Sequence, residues 1–158
     1  MRSTPTPMRI RFIKTADTYP LRRLVLWPGS TEEDCDFPND RLEGSFHLAA
    51  QIGAHRVAIG SFYPEKHPAL NGWKQFHLRG MATHPDFRGL GAGRSLLRFG
   101  LEHLQAQQVD VLWCHARPSA VPFYERMGFA RRGDVTDLPG FGPRQLMVRR
   151  VVPPPAGR

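Results

Sequence analysis

Arg9 to Lys14 alternates apolar and polar side chains, which predicts a strand. Asp17 is suited to cap a helix running to about Trp27, with Pro20 in its first turn and Pro28-Gly29 ending it. The segment after it carries Pro38 and Asn39 and reads as loop, with room for one helical turn. Ser45 to Ile52 and His55 to Tyr63 are apolar enough for two strands joined by a tight turn at Gly53. After a connection from Pro64 to Asn71, a longer strand runs from Trp73 to Thr83. Gly91 to Gln108 gives the clearest helix, because Leu97, Leu101 and Leu104 recur at helical spacing beside Leu96 and Phe99. Val109 to His115 is a short apolar strand, and Ser119 to Met127 a short helix with Gly128 as its C-cap. Gln145 to Val151 closes the pattern as a last strand.

The predicted order is β-α-β-β-β-α-β-α-β. The strand, helix and strand between residues 73 and 115 form a βαβ unit, which needs parallel strands. The rest reads as antiparallel, so the class is α/β of the mixed α+β kind: a central mixed, largely antiparallel sheet with flanking helices. The whole makes one domain, residues 9–151, between an N-terminal tail (1–8) and a Pro-rich C-terminal tail (152–158). There is no internal repeat.

The net charge is +8, and arginine supplies nearly all the positive charge. Such a balance suggests an anionic partner, either nucleic acid or a phosphate-rich small molecule. The bases are scattered rather than blocked, whereas the acids Glu32, Glu33, Asp34, Asp36, Asp40 and Glu43 cluster around the single base Arg41. No apolar run approaches the ~20 residues needed to span a bilayer. The N-terminus, broken by Pro5 and Pro7, has no apolar stretch of a secretory leader. Cys35 and Cys114 offer neither metal spacing nor a disulfide framework, so no metal is expected and a reducing cytoplasm is the inferred setting.

The chemistry concentrates at Arg88-Gly89-Leu90-Gly91-Ala92-Gly93-Arg94, between a strand and the strongest helix. Glycines there let backbone approach a ligand, and free N–H groups at a helix start favour an anion. Arginines flank a terminus where acids are normally favoured, a conflict that a bound phosphate relieves. A tight turn with two solvated arginines is the plainer alternative. The alternating glycines match neither the dinucleotide fingerprint nor a P-loop. Residue chemistry alone therefore reaches "an anion, a phosphate" and stops.

The run Met81-Ala82-Thr83-His84-Pro85-Asp86-Phe87-Arg88-Gly89-Leu90-Gly91-Ala92-Gly93-Arg94 resembles the acyl-CoA signature of the GNAT superfamily of N-acyltransferases. Ala120-Val121-Pro122-Phe123-Tyr124-Glu125-Arg126-Met127-Gly128-Phe129 resembles its second signature, and the element order fits from about residue 9 to 151. The resemblance implies an acetyltransferase that takes acetyl-CoA as donor and a small-molecule or peptide amine as acceptor. It implies that the amides of Leu90 to Arg94, with Gly91, Ala92 and Gly93 among them, hold the coenzyme A pyrophosphate, aided by Arg88 and Arg94 beside Gly89. The backbone of Met81, Ala82 and Thr83 would meet the pantetheine arm and the oxyanion. The strands at 73–83 and 109–115 would splay apart around the thioester, and Tyr124 would donate a proton to the leaving thiolate. The chain departs from many relatives in carrying Arg79 and Gly80 where a carboxylate often stands, and His115-Ala116-Arg117 where Asn-Ala-Arg is common.

The general base is therefore open, with His77, His84 and His115 as candidates because imidazole titrates near neutrality. Strand parity puts His77 on one face with Arg79, Met81 and Thr83. Cys114 reads as a small core residue rather than a nucleophile, and Trp27, Trp73 and Trp113 as core or cleft walls. Glu32, Glu33 and Asp34 either border a cationic acceptor or form a solvated loop. Two other functions compete: a non-catalytic acyl-CoA sensor, and a nucleic-acid-binding module, which lacks interleaved aromatic and basic residues. Either a monomer or a homodimer is compatible.

Overall fold

The computed structural model describes residues 6–151. Seven strands are present among them: β1 Met8–Ile13, β2 Phe46–Ile52, β3 His55–Pro64, β4 Gln75–Thr83, β5 Val111–Ala116, β6 Ala130–Leu138 and β7 Gly142–Arg150. The helices are α1 Thr15–Leu21, α2 Ala92–Ala106 and α3 Val121–Arg126. The strands form one sheet in the order β1-β2-β3-β4-β5-β7-β6. β1–β2, β2–β3, β5–β7 and β6–β7 pair antiparallel, and β4–β5 pairs parallel. This is the mixed sheet with flanking helices that the element order predicts. The expected tails at 1–8 and 152–158 lie outside the described residues, save residues 6–8, of which Met8 opens β1.

The chain divides into two compact units, Met1–Tyr63 with Gly80–Gly100, and Pro64–Arg79 with Leu101–Arg158. In the first, Leu21, Ala49, Ile59 and Ala82 form a buried cluster, joined by Ile13, Val25 and Leu26. Leu96 and Leu97 of α2 are fully buried, and Gly100 meets the Phe62 ring so closely that a Cβ would stand 2.4 Å from it. In the second, Leu70, Val111 and Trp113 pack with Leu146 and Val148.

Three local readings need correction. The first helix begins at Thr15, and Asp17 is its third residue rather than its cap: the Asp17 carboxylate accepts the Lys14 N–H at 3.0 Å. Pro20 then falls in the second turn, where it has no N–H to give. The helix continues as a π turn over Arg22–Leu26, closed by the Trp27 N–H on the Arg22 carbonyl. Second, β6 has no counterpart in the predicted order. It is an edge strand with nearly every residue exposed, so no alternation marks it. Third, Trp73 is 88% exposed and walls no core; Trp27 meets Phe37 edge-on and Trp113 is buried.

Candidate active site

β4 ends at Thr83, and the His84 N–H closes its last contact on the Val57 carbonyl at 2.7 Å. A single 3-10 turn, Pro85–Phe87, follows, capped by His84, whose Nδ1 accepts the Asp86 N–H at 3.1 Å. Gly89 and Gly91 both take left-handed φ, +80° and +77°, a conformation that costs other residues about 1–2 kcal/mol. Their backbone turns the chain into α2, and the first helical bond runs from the Ser95 N–H to the Gly91 carbonyl. No acid stands in the first turn of α2, and Arg88 and Arg94 are exposed there. Helix-start amides and two guanidinium groups thus share one loop, an arrangement that favours a polyanion.

Within β4, Gly80 also takes a left-handed φ, +69°. That interrupts the pleat, so the parity that grouped His77 and Arg79 with Met81 and Thr83 does not carry past Gly80. The parallel pairing of β4 with β5 runs only through Gln75–Val111, Phe76–Leu112 and His77–Trp113, although both strands continue beyond it.

β5 alternates. Val111, Trp113 and His115 share one face, and Leu112, Cys114 and Ala116 the other. On the Cys114 side stands α3, where Tyr124 is 8% exposed and edges onto Phe123 and Phe129. Among the described residues its hydroxyl has no hydrogen-bond partner. Burial, reinforced by the neighbouring Cys114, holds that hydroxyl well above the ordinary tyrosine range, so it stays protonated at neutral pH. Burial likewise pushes the Cys114 thiol up, which suits a core residue and not a thiolate nucleophile.

The opposite face of β5 carries imidazoles. His77 stacks flat on Trp113, with ring centroids 3.8 Å apart. His67 and His115 approach the same indole edge-on. Glu65 reaches His77 Nδ1 at 3.4 Å, and its carbonyl accepts the Trp113 indole N–H at 2.9 Å. Burial lowers His77 from its ordinary value, against the pull of Glu65; burial together with His77 and His67 lowers His115. Both are thus neutral, proton-accepting groups at pH 7. The structure groups His77 with His115 and leaves His84 in its own turn. Glu65 and His67 escaped the sequence reading because both lie in the connection before β4, distant in sequence from His115.

A second polar cluster was also invisible in sequence. Arg22 is fully buried and binds Asp40 twice, Nη1–Oδ2 at 2.8 Å and Nη2–Oδ1 at 3.1 Å. It also donates to the Cys35 carbonyl, Ser61 Oγ and Tyr63 Oη. Tyr63 donates to Asp40 at 2.5 Å, and His47 bridges Ser61 Oγ and Thr15 Oγ1. Burial alone would raise the Asp40 carboxyl, but Arg22, Tyr63 and the Phe37 N–H outweigh it and hold it below the usual range. The acidic segment is therefore partly structural. Asp36 meets Tyr19 and Arg41, while Asp34 accepts from the Thr31 N–H and hydroxyl, which lower its pKa. Glu32 and Glu33 stay exposed.

The glycine loop at the start of α2 suits a phosphate-rich ligand. The chain belongs to the acetyltransferase (GNAT) family, whose family model matches residues 13–129. Members of this family use acyl-CoA and act on amine acceptors. The protein described as uncharacterized N-acetyltransferase YitI of Bacillus subtilis (strain 168) is 32% identical over 142 residues, 90% of this chain and 95% of that one. Among solved structures, a putative N-acetyltransferase from Lactobacillus plantarum superposes with a TM-score of 0.75 at 19% identity, covering 92% of this chain and 99% of that one. An aminoglycoside 6'-N-acetyltransferase complexed with coenzyme A gives 0.73 at 15% identity, over 94% and 99%. Both share the fold. Among the described residues, no helix is long and apolar enough to cross a membrane, and no group of metal-ligating side chains is assembled.

Proposed function

We propose that this protein transfers acetyl from acetyl-CoA to a primary amine by direct attack, with Tyr124 as general acid. The observation that carries the reading is Tyr124, a residue only 8% exposed whose hydroxyl burial keeps protonated. A protonated hydroxyl can donate to a substrate sulfur and then release its proton to it. The amides of Leu90 to Arg94, with Arg88 and Arg94, are assigned to the donor's pyrophosphate. The Met81 and Thr83 backbone is assigned to its pantetheine arm, and an N–H at Met81 or Ala82 to the developing oxyanion.

In this scheme the neutral amine nitrogen forms a bond to the thioester carbon, and the C–S bond of the tetrahedral adduct then breaks. The sulfur takes the Tyr124 proton, and the amine proton passes to an imidazole, so charge and protons balance. Burial disfavours the tyrosinate, but the same burial disfavours a free thiolate, so the transfer remains matched. His77 is the preferred base and His115 its alternative. Glu65, 3.4 Å from its Nδ1, favours the His77 tautomer that is protonated there and accepts through Nε2. An imidazole base would replace the carboxylate that Arg79 and Gly80 displace.

Thiol release from acetyl-CoA across a panel of amines tests the reading. Release that depends on amine and on Tyr124 supports it. Tight acetyl-CoA binding with no release for any amine would instead favour a non-catalytic sensor.

A further inference from the structure

The face of β5 that carries Trp113 and His115 ends in unbalanced positive charge. Ala116 pairs with Gln145 of β7, so the next residues along, Arg117 and Arg144, come abreast. Arg117 is still extended there, at φ −62° and ψ 145°. Like charges opposite one another on paired strands destabilise a sheet. Neither arginine has a carboxylate partner among the described residues. The neighbour of Arg144 on β6 is Thr136; the next acid, Asp137, lies opposite Pro143 and so faces the other way. Arg144 is half-buried, and burial together with Arg117 lowers its pKa, the mark of an uncompensated pair. Arg79, which shares the β4 face of His77, sets its guanidinium over the Phe141 ring in the β6–β7 turn, 5.9 Å from the centroid. Glu65 meets these imidazoles at His77, two residues before Arg79 on β4.

We infer that Arg117 and Arg144 bind an anionic group of the acceptor, a carboxylate, so that the preferred substrate is an amine that also carries a carboxylate, as an amino acid does. Each guanidinium can give a carboxylate two parallel N–H···O bonds, and Arg144 otherwise donates only through Nη1, to the neighbouring Pro143 carbonyl at 2.9 Å. His115 precedes Arg117 on the same face of β5, and its ring centroid lies 6.0 Å from that of the proposed base, His77. An acceptor held by its carboxylate at the arginines would present its amine toward the imidazoles. This rests on the acyltransferase reading above and narrows its substrate class.

Two measurements test it. In the first, the α-amino acids are compared with their own carboxamides as acceptors at saturating acetyl-CoA. The acids are expected to exceed the amides in kcat/KM by about tenfold or more, the equivalent of roughly 1.4 kcal/mol. Arg117→Gln and Arg144→Gln are each expected to erase that preference by lowering kcat/KM for the acids about tenfold more than for the amides. The second needs no turnover. Ligand-observed NMR on the coenzyme A-loaded protein compares binding of N-acetyl amino acids with that of their amides, in wild type and both variants. Carboxylate-dependent binding that both variants lose supports the site, whereas Arg150→Gln, remote from the pair, should leave it intact. The inference is overturned if amides bind and react as well as acids, or if both arginine variants weaken acids and amides alike. Thiol release without carboxylate preference would sink this inference alone. Absence of acetyl-CoA binding would sink the acyltransferase reading instead.

Discussion

Arg22 and Asp40 form a two-pronged ion pair with side chains 0% and 2% exposed, and the sequence separates them by a whole acidic loop. Removing one partner leaves a buried charge uncompensated, a loss of about 3–5 kcal/mol. Asp40→Asn should therefore lower Tm sharply, as read by thermal denaturation at pH 7. The carboxyl's folded pKa lies below its unfolded value near ~3.9. Its stabilisation is thus complete above that pH and lost as pH falls through the folded pKa. The wild-type acid transition should be steeper below about pH 4 than that of Asp40→Asn. Parallel acid limbs would assign the acid sensitivity elsewhere.

Arg88→Ala and Arg94→Ala should each weaken coenzyme A binding by on the order of tenfold, the worth of a charge-assisted hydrogen bond. Both residues are exposed on the loop, so neither variant should move Tm appreciably. Calorimetric titration decides the matter, and unchanged affinity in both would displace the pyrophosphate from this loop.

Tyr124→Phe removes one hydroxyl from a buried ring and should fold normally. The expected fall in kcat is on the order of 100-fold, with coenzyme A affinity nearly constant. Cys114→Ala should keep its activity, because the thiol is buried and held protonated. A fully active Tyr124→Phe, or an acetylated cysteine found by mass spectrometry without acceptor, contradicts direct attack assisted by Tyr124.

If His77 is the base, kcat/KM must fall as His77 becomes protonated. Burial places that limb below the ordinary value near ~6.5, with Glu65 opposing the shift and Arg79 and His67 adding to it. Beyond the slope that the acceptor's own ionisation imposes, the pH–rate profile should show a further decline on acidification below pH 7. Glu65→Gln should move the limb to lower pH, since a carboxylate that favours the imidazolium has gone. His77→Gln should abolish the limb along with most activity. A limb that survives in His77→Gln assigns it to His115 or to another group.

Glu32 and Glu33 lie in the same turn as Asp34, both residues exposed, while the Asp34 carboxylate accepts from Thr31. Replacing both by Gln should raise KM for a cationic acceptor and leave KM for acetyl-CoA unchanged, if this segment borders the acceptor. Equal effects on both substrates, or none, would make it a solvated loop.

Much of the architecture was legible in short stretches of chain. The leucine spacing of α2 and the turn at Gly53 between β2 and β3 are local patterns, and hydrophobic period or backbone freedom fixes each of them within a few residues. The glycine loop and the Phe-Tyr-Glu run are equally local, so the family could be read directly from them. Where tertiary contacts override local preference, the reading failed. Pro20 suggests a helix start, yet the helix begins three residues earlier, with Lys14 rather than Asp17 at its cap, and runs on through Pro20 into a π turn. β6 is held by its hydrogen bonds to β7 and by little side-chain burial, so its own residues carry no strand signature.

The polar sites divide along the same line. Consecutive residues alone set where left-handed glycines run into a helix N-terminus, because both are local properties of the chain. Which side chains meet depends on the folded arrangement. It paired Arg22 with Asp40, set Glu65 on His77, and brought Arg117 abreast of Arg144. Those contacts depend on strand register and on chain segments far apart in sequence. Burial then gives them their chemistry, since the same imidazole or guanidinium left in water would hold an ordinary pKa and need no partner.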